Sequence, residues 1–143
     1  MLTSSKERQL NRNRILAVGI CALLACTFWP SIAVAESKTP TQAYLEYNAA
    51  VTKATALTEV LPYLSAEYRA MLESRPKADH PVWLKRLKEG TVQDVKITKE
   101  TITGIKCTLE GTGTSPRGNA MKGKIVLVKE ESGWKLDSEA WAT

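Results

Sequence analysis

The chain has 143 residues, of which 43% are hydrophobic and 24% charged, and its formal net charge is +5. This length and composition suit one folded domain. Four of the 20 basic residues and one of the 15 acidic residues lie in the first fourteen positions, so residues 36–143 carry 16 basic and 14 acidic side chains. The excess of two positive charges is spread among both signs and forms no basic patch, so we expect no nucleic-acid partner.

The first 35 residues are typical of a secretory signal sequence. A basic stretch ending at Arg14 precedes an apolar run, Ile15–Trp29, and residues 33–35 supply the small-x-small pattern that signal peptidase recognises. We predict cleavage between Ala35 and Glu36. Residues 36–143 then form a single α+β domain, periplasmic or secreted, with no membrane span after cleavage.

Two other interpretations of this segment remain open. The apolar run is short for a membrane-spanning helix, which needs about 20 residues, but an uncleaved N-terminal anchor would still place the domain outside the cytoplasm. Residues 23–26 resemble a lipoprotein box, in which Cys26 would be acylated, although the apolar Phe28 and Trp29 just beyond it are atypical.

Cleavage would leave Cys107 as the single cysteine of the mature chain. One cysteine cannot form an internal disulfide or supply a thiolate zinc site. Cys107 alternates with Ile105 and Leu109 in a strand-like pattern, so we predict a buried, unreactive thiol.

The first half of the predicted domain, about residues 40–89, is helical. Thr39-Pro40-Thr41-Gln42 forms a capping box before a helix whose apolar face carries Tyr44 and Tyr47. A short helix that Pro62 kinks or shortens is predicted over 57–64, and Ser65 is predicted to cap another. Asp79 or His80 is predicted to cap a last helix that begins at Pro81 and ends at Gly90.

The second half, about residues 91–141, has the period of strands. Alternating apolar residues predict strands around 92–97, 105–109, 121–129 and 134–141, and the glycines between 111 and 119 predict a loop or bulged hairpin end. Short connections favour an antiparallel meander. Residues 125–128 are apolar on both faces of their strand. We expect one face to contact the helices and the other to contact a loop or a second subunit. The second case would make the protein a homodimer.

This order of elements resembles the nuclear transport factor 2-like superfamily (cystatin-like, cone-shaped α+β), and within it the small exported bacterial members of unknown function. The resemblance rests on residues 40–51, 61–65, 123–130 and 133–137. It implies N-terminal helices packed on a curved antiparallel four-stranded sheet, with a conical pocket between them and a convex face that often dimerises. These motifs are structural, and none of them is catalytic.

No catalytic residue, metal site or cofactor is predicted. Adjacent residues such as Asp79 and His80 rarely reach one reacting atom, and a helix cap explains them. The strand carboxylates Asp94, Glu110, Asp137 and Glu139 are predicted to lie opposite the apolar residues, in solvent.

The aromatic side chains are the remaining candidates for a site. Tyr44, Tyr47 and Trp83 are predicted to line a pocket for a ligand, with core packing as the alternative for each. The predicted function is a non-enzymatic protein of the cell envelope that binds a small ligand or an envelope partner. Two alternatives stay open: a small pocket enzyme of isomerase, dehydratase or hydrolase type, and a lipid-anchored accessory protein.

Overall fold

A computed structural model describes residues 37–143. Within them the chain forms the helices α1 (Pro40–Lys53), α2 (Ala66–Glu73) and α3 (His80–Gly90), and then the strands β1 (Gln93–Thr103), β2 (Lys106–Thr114), β3 (Ala120–Glu130) and β4 (Gly133–Ala142). The predicted signal sequence, with Cys26 and the cleavage site at Ala35–Glu36, lies outside the described residues. None of the helices in the described range is long and apolar enough to cross a membrane.

Two of the predicted helix starts are confirmed. The Thr39 hydroxyl accepts a hydrogen bond from the Gln42 backbone at 3.2 Å, and the Gln42 side chain accepts one from the Thr39 backbone at 3.0 Å. This reciprocal pair is the capping box. Ser65 caps α2 by accepting a bond from the Tyr68 N–H at 3.2 Å.

The predicted side-chain cap of α3 is wrong. Asp79 precedes this helix, but its side chain makes no capping bond, and His80 is the first helical residue. Asp79 has helical dihedral angles (φ −89°, ψ −11°) because it also ends a 3₁₀ turn, Lys77–Asp79. A capping residue normally has an extended backbone, which Asp79 lacks.

The segment between α1 and α2 is also less regular than predicted. In place of one short helix it forms two 3₁₀ turns, Leu57–Glu59 and Leu61–Tyr63, and Pro62 lies inside the second. Proline has no N–H to donate and cannot continue an α-helix through this position. The apolar side chains Leu57, Leu61 and Leu64 are nevertheless buried.

The predicted antiparallel meander is confirmed, with the strands in the order β1-β2-β3-β4. Gly104 and Ile105 form the tight turn between β1 and β2, where Gly104 has a φ of 60°. Ile105 therefore belongs to the turn and not to the alternating strand, and 63% of its surface is exposed. Cys107, in contrast, is fully buried as predicted.

The predicted loop at 111–119 is shorter in the structure. β2 continues through Gly111 and Gly113 to Thr114, so the connection comprises only residues 115–119. A Cβ atom at Gly113 would lie 2.8 Å from the Gln93 carbonyl oxygen, and one at Gly111 would lie 2.8 Å from that of Lys96. These glycines allow β1 to approach β2 closely. The loop interpretation was therefore too long, whereas the bulged hairpin end agrees with the register shifts of β1 between Gln93 and Lys96 and between Ile97 and Lys99.

The helices pack on one face of the sheet and enclose the core, which confirms the predicted α+β architecture. The fully buried members of this core from the sheet are Cys107, Leu109, Ile125, Leu127 and Leu136. On the opposite face, Val126 and Val128 are half-buried. The homodimer suggested by this doubly apolar strand stays a prediction.

Candidate functional site

A β-bulge in β4 decides which side chains of this strand face the helices. Val126 pairs with Ser138, but the next residue of β3, Leu127, pairs with Leu136, so Asp137 is an extra residue in β4. Side chains alternate along a strand, and one extra residue reverses the alternation beyond it. Leu136 and Glu139 therefore share the inner face, where Glu139 is paired with the buried Ile125.

Ser65 holds the bulged segment in place. Its backbone N–H donates to the Leu136 carbonyl oxygen at 2.7 Å, and its hydroxyl donates to a carboxylate oxygen of Asp137 at 3.1 Å. The same residue caps α2 and is only 2% exposed. One small side chain thus connects the start of a helix to the residue that reverses β4.

Two tyrosine hydroxyls converge on Glu139. Tyr44 donates to Oε2 of Glu139 at 2.7 Å, and Tyr47 donates to Oε1 at 3.2 Å. Both rings lie on the buried face of α1, with exposed fractions of 1% and 3% and centroids 6.0 Å apart. Their spacing of three residues brings both hydroxyls to the same carboxylate.

Trp141 supplies a third donor, because its indole N–H lies 3.1 Å from Oε2 of Glu139. Its ring lies over Gly123, the residue paired with it on β3. A Cβ atom at Gly123 would lie within 2.6 Å of Cζ3 of this ring, so only glycine leaves room for it. Glu139, Tyr44, Tyr47 and Trp141 are called the Glu139 cluster below.

Burial and the nearby carboxylate keep the cluster tyrosines protonated. Desolvation in the core raises the pKa of Tyr44 and of Tyr47 above the usual value of 10, and the negative charge of Glu139 adds to the effect. The pKa of Tyr68 is also raised, first by burial and then by Glu139. The hydroxyls of Tyr44 and Tyr47 therefore act as fixed donors at neutral pH.

Glu139 and Trp141 open onto a cavity of about 330 Å³ between the end of α3 and the β2–β3 turn. The Glu139 residue is exposed, although the tyrosines bonded to it are buried. A carboxylate has about four acceptor positions, and the three donors leave one of them for a molecule in the cavity. The cavity is lined by Arg86, Leu87, Glu89, Gly90, Val92, Ser115, Pro116, Met121, Glu139 and Trp141.

The structure brings together two of the three residues predicted to bind a ligand. Tyr44 and Tyr47 lie behind Glu139, so they act on the cavity through that carboxylate. Trp83 is not among the residues that line this cavity. Its half-buried ring lies on α3 between the guanidinium groups of Arg75 and Arg86, 5.2 and 5.0 Å from the ring centroid.

Asp79 and His80, the pair weighed as acid and base, do not take part in the Glu139 cluster. His80 lines a different cavity, described below. In the described part of the chain, no three His, Cys, Asp or Glu side chains are grouped closely enough to hold a metal ion. Burial raises the pKa of the Cys107 thiol and disfavours its reactive thiolate form.

Glu139 is the residue that sequence reasoning missed. It was expected to point away from the apolar residues, and the bulge at Asp137 places it on their side. One signal was available in the sequence: Trp134 and Leu136 occupy even positions of β4, whereas Trp141 occupies an odd one. That change of phase is what a bulge produces.

No protein-family model and no curated protein matches the chain. Two solved structures of NTF2-like proteins are similar to it. One has a name that suggests an NTF2-like transpeptidase and comes from Campylobacter jejuni. Its sequence is 12% identical to this chain and its TM-score is 0.45, and the match covers 71% of this chain and 99% of the other. The second, an NTF2-like protein of unknown function from Shewanella baltica OS155, is 16% identical, with a TM-score of 0.46, over 72% and 89% of the two chains. Residues 37–143 form three helices packed on a four-stranded antiparallel meander, and both of these similar solved structures are NTF2-like proteins.

Proposed function

We propose that the chain is an exported, non-enzymatic binding protein whose ligand is a small molecule held in the cavity at Glu139. The observation that carries the proposal is the Glu139 cluster, in which three aromatic donors hold one carboxylate at a cavity wall. Placing a carboxylate against buried apolar groups is costly unless its oxygens are hydrogen-bonded. Glu139 is exposed, so the three donors mainly fix the direction of its carboxylate, and one acceptor position is left free for a ligand.

The same geometry favours binding over acid–base catalysis. A general base must accept a proton from its substrate, but both oxygens of Glu139 already accept bonds from side chains that stay protonated. Protonation of Glu139 would weaken these bonds. The carboxylate is therefore held as a hydrogen-bond acceptor that orients a ligand.

The lining of the cavity defines the chemistry of that ligand. A volume of about 330 Å³ lies at the lower end of the range for small-molecule sites, roughly 300–1,000 Å³. Leu87, Met121 and the Trp141 ring supply apolar contact, and Glu139 supplies a negative acceptor. A small apolar body with a cationic or hydrogen-bond-donating head group fits both.

The test is a nuclear magnetic resonance titration with three aromatic probes of equal size: benzylammonium, benzyl alcohol and benzoate. The ¹⁵N-labelled protein is produced from the full coding sequence and purified as the expressing bacterium leaves it. We expect saturable shifts of the Trp141 indole N–H signal, largest with benzylammonium and absent with benzoate. Glu139→Gln should abolish the preference for the cation.

The matched control is Glu131→Gln, which removes one negative charge from the exposed β3–β4 turn. It should leave binding unchanged. Equal shifts with all three probes, or a cation preference that survives Glu139→Gln, would contradict the proposed site. The mass of the purified protein tests the export part separately, because cleavage after Ala35 and acylation at Cys26 give different masses.

A further inference from the structure

A second and larger cavity lies beside α3 and shares Glu89 and Pro116 with the cavity at Glu139. It has a volume of about 750 Å³ and runs between α3 and residues 55–58, which follow α1. Its apolar contacts come mainly from Leu57, Pro81 and Leu84. Leu57 and Leu84 also belong to the core, so the floor of this groove is rigidly placed.

One residue of the groove wall, His80, has a buried polar atom that lacks a partner. Nε2 of His80 is buried, and it makes no hydrogen bond to any group in residues 37–143. Buried ring nitrogens are normally hydrogen-bonded, but this one has almost no accessible surface, so His80 contributes to the groove only as part of its wall. His80 is also the only histidine of the whole sequence.

The charge of the groove is positive. Three of its lining residues, Lys77, Lys85 and Lys88, are lysines, and Glu89 is its acidic one. The Lys85 ammonium lies 3.8 Å from the Glu89 carboxylate, but both side chains are well exposed, at 76% and 64%. Such a pair is weak, so Lys85 remains available to another anion.

We propose that this groove binds a short acidic segment of a partner protein. An apolar side chain of the segment packs on Leu57 and Leu84, and its carboxylates meet the lysines. This partner site adjoins the small-ligand cavity at Glu139, with which it shares Glu89 and Pro116, but the lysines and leucines that would bind the segment lie only in the groove.

The size and charge of the groove favour a peptide. His80 and Lys88 are eight residues apart on α3, which corresponds to about 12 Å along the helix. An extended peptide covers that distance with three or four residues, at about 3.3–3.6 Å each. The positive charges are distributed along the groove, which suits several carboxylates better than the single head group of a fatty acid.

The experiment titrates the ¹⁵N-labelled protein, again made from the full coding sequence, with blocked four-residue peptides. The probe is Asp-Leu-Glu-Glu, and the comparisons are Asp-Ser-Glu-Glu, Lys-Leu-Lys-Lys and decanoate. We expect saturable shifts at the amides of Leu57 and Leu84 and at the His80 ring with the probe. Added salt should weaken the binding, and the serine and lysine peptides should bind at least tenfold more weakly.

Two variants separate the contributions. The double change Lys85→Gln and Lys88→Gln should raise the dissociation constant about fivefold, since each exposed charge pair contributes modestly. The same double change at Lys122 and Lys124, exposed residues of β3, is the control and should have no effect. Lys77→Gln, which removes the third lysine of the groove, should weaken binding by about twofold.

Several outcomes would overturn the proposal. These are the absence of saturable shifts at the groove with the probe, equal binding of the serine or lysine peptide, and tighter binding of decanoate. Concentration-dependent shifts at the groove without any added peptide would assign it to a second copy of the chain, and would overturn the proposal as well. Failure here leaves the Trp141 signal and its response to benzylammonium unaffected, so the two sites are tested independently.

Discussion

The hydroxyl of Tyr44 offers the sharpest test of the Glu139 cluster. Its ring is 1% exposed, and the hydroxyl lies 2.7 Å from Oε2 of Glu139. A hydrogen bond to a charged group contributes about 1.5–3 kcal/mol. Because Glu139 is exposed, water can replace the lost donor, so Tyr44→Phe should lower the free energy of unfolding by about 1.5 kcal/mol, at the low end of that range.

The measurement is urea-induced unfolding followed by circular dichroism, with a thermal scan beside it. For a domain of this size, about 1.5 kcal/mol corresponds to a fall in Tm of roughly 6–10 °C. The matched control is Tyr63→Phe, since the Tyr63 ring is half-buried and its hydroxyl has no hydrogen-bond partner within residues 37–143. That substitution should change the stability by less than about 0.5 kcal/mol.

A double-mutant cycle tests the assigned partner. If the Tyr44 hydroxyl acts through Glu139, its removal should cost less once Glu139→Gln is already present, because the glutamine oxygen accepts only a neutral hydrogen bond, and the coupling energy should be about 1 kcal/mol. Purely additive changes would refute the assigned hydrogen bond. So would a Tyr44→Phe variant as stable as Tyr63→Phe.

Two further predictions concern the same cluster. Gly123→Ala should destabilise the protein by about 1–3 kcal/mol and shift the Trp141 indole signal, because the new methyl group overlaps the ring. Gly90→Ala, where a Cβ atom has open space, is the control for stability only, because Gly90 lines the cavity beside Trp141. Equal losses of stability would contradict the assigned packing. The second prediction concerns alkaline pH. The pKa of Tyr44 and of Tyr47 is raised in the folded state, so the unfolded chain loses these protons at a lower pH than the folded protein does. The free energy of unfolding should therefore fall as pH rises above about 10, by about 1.4 kcal/mol per pH unit for each tyrosine. Unfolding free energies between pH 9 and 11 should show a shallower slope for the double Tyr44→Phe and Tyr47→Phe variant, and an unchanged slope would disprove the raised pKa values.

Features specified by neighbouring residues could be predicted from the sequence. The capping box at Thr39, the cap at Ser65 and the strand order all depend on residues close together in the chain, and each is confirmed. Tyr44 and Tyr47 were singled out because buried tyrosine hydroxyls need partners, and the structure supplies one partner for both.

Features that depend on distant residues could not be predicted in this way. Gly111 and Gly113 are strand residues because β1 passes close to them, and nothing in their local sequence shows this. The position of Glu139 depends on the bulge at Asp137, which Ser65 holds from 72 residues away. Regular alternation of side chains along β4 predicts that Glu139 faces solvent. The residue pairing between β3 and β4 shows instead that Glu139 lies on the inner face, opposite Ile125.

The extra residue at Asp137 makes the cluster sensitive to insertions and deletions in β4. Deleting one residue there would restore regular alternation and turn both Glu139 and Trp141 towards the outer face, although every side chain of the cluster would still be present in the sequence. Two chains could therefore share these four residues in the same order and differ in whether they form the site. Comparisons among related chains should count the residues between Leu136 and Trp141 before assigning them a common ligand.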